Sequence, residues 1–225
     1  MRIVHELVKS ADVFVENYRK GVPEKLGVDY ETLKKINPKL IYASGSGYGP
    51  DGPDASKPSL DGCGQARSGL MMSATFDGQN EPSYVAGAIS DQMGGIILCL
   101  GIVSALFARE RTGIGQRIDT TLLSTSLSIQ GGFMEMEEHD KDERDNVVET
   151  LTALRQAGVP YETLLEQQMQ INGWADPSVL IYYTTYQTKD DVIAIACLSD
   201  NLREKAAKSI GVTDPRFSDD YNPTE

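Results

Sequence analysis

Histidine and cysteine are scarce in this 225-residue chain, which has two of the first and three of the second. His5 and His139 lie in neither a Gly-rich loop nor the company of other candidate groups, which argues against imidazole acid–base chemistry. Cys63, Cys99 and Cys197 are odd in number and lack CxxC spacing, and Cys99 falls inside an apolar stretch. Neither a disulfide framework nor a metal site is therefore expected, and a reducing, cytoplasmic setting fits best. Positive charge is also short: 21 Lys and Arg stand against 33 Asp and Glu, a net charge of −12. That balance excludes the basic footprint by which proteins displace counterions from nucleic acid.

Long hydrophobic runs are missing too. The most apolar segment, Met93 to Ala108, is shorter than the roughly 20 residues that span a bilayer and carries Gly94, Gly95 and Gly101. It reads as a buried helix, so no membrane partner is expected. The N-terminus lacks the basic, apolar and small-residue regions of a signal peptide. GxSxG, HExxH, Walker A and EF-hand motifs are absent, and GSGYGP is only a loose match to GxGxxG because no clear helix follows it.

What is present is 40% hydrophobic residues, a globular composition, in an alternating pattern. Ile3 to Lys9 has a helical apolar face and Asp12 to Val15 reads as a buried strand. Pro23 to Leu26 and Tyr30 to Ile36 read as short helices, and Leu40 to Ser44 as the next strand. After a Gly/Pro-rich loop come a helix over Asp61 to Met72, a helix over Gln92 to Glu110 and a strand over Gln116 to Leu122. Strands alternating with helices predict an α/β parallel sheet. A sheet that opens with a helix is expected to have a strand ahead of it, because βαβ units start from strands.

Beyond residue 130 the composition changes. The domains read from sequence are a large α/β domain over 1–130, an acidic helical linker over 131–174 with an amphipathic segment from Val147 to about Gln170, and a small α+β domain over 175–225. In the last, Leu180 to Tyr186 and Asp191 to Cys197 read as strands and Asn201 to Ser209 as a helix.

With histidine set aside, carboxylates remain. Asp91, in AISDQMGG, stands at the mouth of the apolar helix, where backbone N–H groups favour a negative charge and keep it ionised. The plain alternative is a capping residue, the commonest duty of Asp at that place. Asp61, in SLDGCGQARSG, also lies where a loop feeds a helix. At the carboxyl ends of adjacent parallel strands the two would share one crevice. Two carboxylates in different surroundings can divide roles, one ionised and one protonated or hydrogen-bonding.

Three ordered segments carry a resemblance: VFVENYRKGVPEKLGVDYETLKKINPKLIYASGSGYGPDGP, SLDGCGQARSGLM and GAISDQMGGIILCLGIVSALFARERTGIGQRIDTTLL. Together they closely resemble the class III, CaiB/BaiF-type CoA-transferase family over residues 1 to about 130, and the likeness continues through YYTTYQTKDDVIAIACLSDN. It implies a Rossmann-like parallel-sheet domain, coenzyme A as a thioester substrate, and an acyl-CoA donor with a carboxylic acid acceptor. Asp91 matches the family's nucleophile, which passes through mixed anhydrides and an aspartyl-CoA thioester, with Gly94 and Gly95 leaving room for the thioester arm. Asp61 matches an acidic position beside it. Asn17, Tyr18 and Arg19 match the loop that contacts CoA, Lys25 a basic residue near its phosphates, and Pro58, Ser59 and Leu60 the segment lining the CoA site; ordinary surface charge is the alternative for Arg19 and Lys25.

The same family contains α-methylacyl-CoA racemases, which place a histidine directly before the position of Asp61. Here that residue is Leu60, which accepts no proton, so transfer is preferred to racemisation. Family members are longer at both ends and pair as interlocked homodimers, so the resemblance implies a homodimer for the full-length form. A non-catalytic partial chain is the third reading.

Overall fold

The computed structural model describes residues 1–74, 82–130, 141–164, 167 and 181–218. The chain divides into two compact units, Met1–Glu137 and Glu138–Glu225.

The first unit is built on a parallel sheet of β1 (Val13–Glu16), β2 (Ile41–Ser46) and β3 (Arg117–Thr121), in that spatial order. Val13 pairs with Ile41 and Tyr42 with Arg117. Helix α1 (Arg2–Val8) precedes β1, and α2 (Val22–Leu26) and α3 (Tyr30–Ile36) carry the crossover to β2. Local chemistry fixes the crossover. Asp29 caps α3 by accepting from the Thr32 amide at 3.0 Å, and Asn37 beyond its end donates to the carbonyls of Val8 and Ala11 at 3.0 and 2.9 Å. Val8, Val28, Leu33, Leu40 and Tyr42 form the buried cluster beneath, with Phe14 stacked on Tyr42 at 5.5 Å. The parallel α/β reading therefore holds, with strand bounds displaced by one or two residues. His5 is structural, since its Nε2 pairs with the Gly27 carbonyl at 2.7 Å.

Three expectations are corrected. The single helix read over Asp61 to Met72 is broken, because Gly69 takes a left-handed φ of +78° and ends α4 (Asp61–Ser68) before a 3-10 turn over Leu70–Ala74. The apolar helix α5 runs over Ile89–Thr112, longer than read, and only Ser90 and Ala105 are buried in it. It is the one helix among the described residues long and apolar enough to cross a membrane, yet one face lies on β2, β3 and α4. A β-carbon at Gly101 would come 2.9 Å from Ile118 of the sheet, whereas Ile96, Leu100, Val103 and Phe107 on another face stay exposed. Third, a helix not read from the sequence, α6 (Leu122–Ser128), follows β3 directly and packs on α4 and α5. Thr121 starts it by accepting from the Ser124 amide at 2.8 Å.

In the second unit, α7 covers Lys141–Gln156 and closes at Gly158, φ +75°, and helix resumes at 161–164, so the amphipathic segment is helical but broken and begins earlier than read. β4 (Tyr183–Gln187) and β5 (Val192–Ala196) pair antiparallel, and α8 (Asp200–Ser209) follows. Tyr182 and Arg216 both bond Asp214, and Arg216 foremost holds that carboxyl below the ordinary range. Residues 131–140, including His139, and 168–180 lie outside the described residues.

Candidate active site

The site begins at the first residue of α4. Leu60 is extended at the N-cap position, so Asp61 enters the helix with its side chain turned away from its own amides. It is 7% exposed and reaches across to the start of α5, where Oδ1 accepts from the backbone N–H of Ser90 at 2.7 Å and of Asp91 at 3.1 Å. Helix α5 needs that loan. Its own cap position is Ala88, held at φ +49° after Gly87, and alanine has no acceptor to offer. Asp61 Oδ2 accepts from Gln65 Nε2 at 2.7 Å and from the Tyr84 hydroxyl at 2.5 Å. Burial pushes the Asp61 carboxyl up, but Tyr84, Gln65 and the two amides together outweigh it and hold the group below its ordinary range.

Asp91 lies in the first turn of α5, its carboxylate beside that network but outside it. Its carboxylate is exposed and, among the described residues, receives no hydrogen bond. The capping alternative is thereby answered: the cap of this helix is Asp61, and Asp91 is left over. The helix amides expected to favour the Asp91 charge are not available to it, since Asp61 already accepts from the nearest of them. Its pKa is raised, by burial first and then by the negative charge of Asp61. The two carboxylates are thus driven apart in acidity, as expected for a pair with divided roles. They do not meet at strand ends as expected: Asp91 follows no strand, and the pair is adjacent because α4 and α5 begin side by side.

Around them the packing is tight on one side and open on the other. Buried Ser90 Oγ lies 2.6 Å from Ser126 Oγ, which donates to the Leu122 carbonyl at 2.7 Å, tying α5 to α6. Gly94 faces that contact, where a β-carbon would touch Leu122 and Thr125, while one at Gly95 would meet nothing within 4 Å. Of the two glycines expected to leave room, Gly95 faces open space and Gly94 serves helix packing. Pro58, Ser59 and Leu60 lie across the end of β2: a β-carbon at Gly47 would collide with Ser59, which is why the chain is glycine there. Leu60 is 77% exposed.

A separate cleft of about 200 Å³ opens at the carboxyl ends of β1 and β2 and includes Tyr18 and Arg19 in its lining. Glu16 at its floor is buried and accepts from the Tyr18 amide at 2.7 Å, Lys20 donates to the Pro50 carbonyl at 2.6 Å, and Arg117 grips Asp119. The Arg19 guanidinium has no ion-pair or hydrogen-bond partner among the described residues. Asn17 and Lys25 are exposed and outside the lining, and neither Asp61 nor Asp91 belongs to it. A larger hollow, about 440 Å³, sits at the opposite, amino ends of the strands, where Arg109 is already engaged by Asp12 and the Lys39 carbonyl. Among the described residues no three His, Cys, Asp or Glu side chains gather as a metal-holding group.

The members of the aspartate network missed from sequence are Gln65, Tyr84 and Ser90. Gln65 stands four residues after Asp61 on one helix face, a legible i, i+4 pair; Tyr84 is 23 residues away and carried no local signal.

This arrangement, a parallel α/β unit with an aspartate exposed at a helix start capped by a second aspartate, has known relatives. The model of CoA-transferase family III matches residues 1–224, and the chain belongs to that family. It is 37% identical over 222 residues to an acetyl-CoA:oxalate CoA-transferase of Acetobacter aceti, covering 96% of this chain and 50% of that protein. It is 40% identical over 129 residues to a succinyl-CoA:glutarate CoA-transferase of Mus musculus, covering 57% of this chain and 29% of the relative. A solved CaiB/BaiF family protein from Brucella suis aligns with a TM-score of 0.64 at 28% identity, over 97% of this chain and 50% of that one. A Mycobacterium tuberculosis structure shares the fold at a TM-score of 0.69 and 23% identity, over 100% of this chain and 51% of its own. The chain spans about half the length of the relatives it matches most fully.

Proposed function

We propose that this chain transfers coenzyme A from an acyl-CoA donor to a carboxylic acid acceptor, with Asp91 as the nucleophile. One observation carries the reading: an exposed carboxylate at a helix start whose neighbouring amides are occupied by a second carboxylate, so that its lone pairs are free. A carboxylate oxygen of Asp91 attacks the donor thioester carbonyl, the C–S bond breaks, and a mixed anhydride and CoA thiolate form. The thiolate returns to the aspartyl carbonyl and expels the donor acid as its carboxylate, leaving an aspartyl-CoA thioester. An acceptor carboxylate then attacks that carbonyl, the thiolate leaves again, and its attack on the acceptor acyl carbon frees Asp91. Charge is conserved at each step, so the sequence of displacements requires no proton shuttle. Splitting the exchange in this way divides one difficult displacement into easier ones.

In this reading Asp61 fixes the start of α5, Gly95 leaves space beside the nucleophile, and Asn17, Tyr18, Arg19, Lys25 and Pro58 to Leu60 contact the CoA moiety. Two copies of the full-length protein would form the working unit in a cytoplasmic setting, and size-exclusion of the full-length protein tests the pairing. Relatives named for oxalate, glutarate and malate make short dicarboxylic acids the first acceptors to try. The deciding experiment is mass spectrometry of the chain mixed with acetyl-CoA or succinyl-CoA and trapped with hydroxylamine or borohydride. Modification at Asp91 is expected; a folded sample modified nowhere, or elsewhere, would overturn the reading.

A further inference from the structure

Asp61 holds more donors than burial alone requires. Its Oδ1 is filled by two backbone amides, and its Oδ2 already has the fully buried Gln65. The fourth donor is Tyr84, a phenol 50% exposed, whose ring lies against Gly62, at 3.5 Å from where a β-carbon would stand. Tyr84 is also held on both sides. The Ser83 amide donates to the Met71 carbonyl at 3.1 Å, and Val85 exchanges two bonds with the Gln65 amide, at 2.9 and 3.0 Å. A segment pinned on either flank of one tyrosine leaves its ring little freedom to wander.

We propose that Tyr84 is a positioning residue for the aspartate pair: its hydroxyl fixes Asp61 Oδ2 so that Oδ1 stays on the first amides of α5 and those amides stay away from Asp91. Calling Asp91 the group that benefits rests on the transfer reading above; the hold on Asp61 does not. The physical reason is competition for one set of donors. If Asp61 pivots about Gln65, the amides of Ser90 and Asp91 lose their acceptor, and a carboxylate in the first turn of the same helix is the nearest replacement. A capped Asp91 would have its lone pairs engaged and be a poorer nucleophile. Tyr84 lies within the field of both carboxylates: its phenol is pushed up by the bond to Asp61 first, and also by the charges of Asp61 and Asp91.

The test is Tyr84→Phe in the full chain, which removes the hydroxyl and keeps the ring on Gly62. Two readouts separate positioning from packing. Carbon-13 carboxyl NMR, with Asp61 assigned through Asp61→Asn, is expected to show the Asp61 titration midpoint moving upward, since a donor that favours the ionised form is gone. Trapping of acyl-CoA on Asp91 is expected to slow by about tenfold, the scale of one hydrogen bond to a charged group, and any loss of melting temperature is expected to disappear at a pH below the Asp61 midpoint, where a packing loss would remain. An Asp61 midpoint that stays where it was would overturn the inference. If neither protein is labelled at Asp91 while the midpoint still moves, the hold on Asp61 stands and the transfer reading falls.

Discussion

The start of α5 and the cleft at the end of β1 are opposites in how they are held. At the helix start a buried carboxylate is saturated by four donors drawn from α4, α5 and the loop before it, and the group left without a bond among the described residues is another carboxylate, Asp91. In the cleft Lys20 and Arg117 are engaged by the Pro50 carbonyl and Asp119, the Arg19 guanidinium has no partner among the described residues, and five acidic residues share the lining. The first region concentrates its order on positioning one atom; the second leaves charge exposed in a place that an anionic ligand can reach. Under the transfer reading, bond making and binding fall to different pieces of chain.

The sharpest way to break that contrast is Asp91→Ala. Loss of the nucleophile is expected to lower transfer and acyl trapping by at least about 1,000-fold, while the melting temperature stays level, because the carboxylate satisfies no donor. A coenzyme A titration of the same variant should still saturate. Asp61→Ala is expected to do the reverse in stability. It orphans the amides of Ser90 and Asp91 and empties two further bonds, which costs about 2 kcal/mol or more on the scale of a lost cap with buried donors, read by urea unfolding. The sign with pH follows from its depressed pKa: the Asp61 contribution is complete above the unfolded value of roughly 3.9 and is lost as pH falls through the folded one.

That difference between the two aspartates could not be read from sequence. Both stand where a loop feeds a helix, and local rules give each the same capping role. The parallel strands, by contrast, were legible within one or two residues, because buried strands such as Ile41–Ser46 are short apolar runs bounded by turns. Helix α6 was missed since its serines and threonines read as loop, although Thr121 is a proper cap for it. The exchange of caps was missed for a deeper reason. It depends on a contact between residues 29 and 30 apart, with Ala88 at a left-handed φ and Tyr84 arriving from a third segment. The family resemblance picked out Asp61 and Asp91 together; only the geometry says which one caps.

In the cleft, Arg19→Ala is expected to weaken coenzyme A binding by about tenfold, the scale of one bond to a charged group, with added salt shrinking the difference. The rate at saturating donor should hold. A fall in the maximal rate with unchanged affinity would move Arg19 out of the binding region. A smaller effect separates the aspartates by charge alone. Under the transfer reading Asp91 attacks as the anion, so transfer is expected to fall as pH drops through its raised pKa. Asp61→Asn keeps an acceptor for the amides and removes the charge that helps raise Asp91, so the acid limb of the pH–rate profile should move to lower pH. A limb that stays where it was would mean that the carboxylates do not sense each other.

The smallest effect sharpens the contrast from within α5. A methyl group at Gly95 meets nothing within 4 Å, and alanine in place of glycine inside a helix stabilises by roughly 0.5–1 kcal/mol. Gly94→Ala stays in ordinary contact with Leu122 and Thr125, so it should gain a similar amount or slightly less. If the open side of α5 is where the thioester arm lies, the two variants part in function despite agreeing in stability. Gly95→Ala should melt higher and trap acyl-CoA more slowly, whereas Gly94→Ala, facing α6, should melt higher at an unchanged trapping rate. Equal trapping by both variants would put the substrate elsewhere and leave Gly95 without a part in binding.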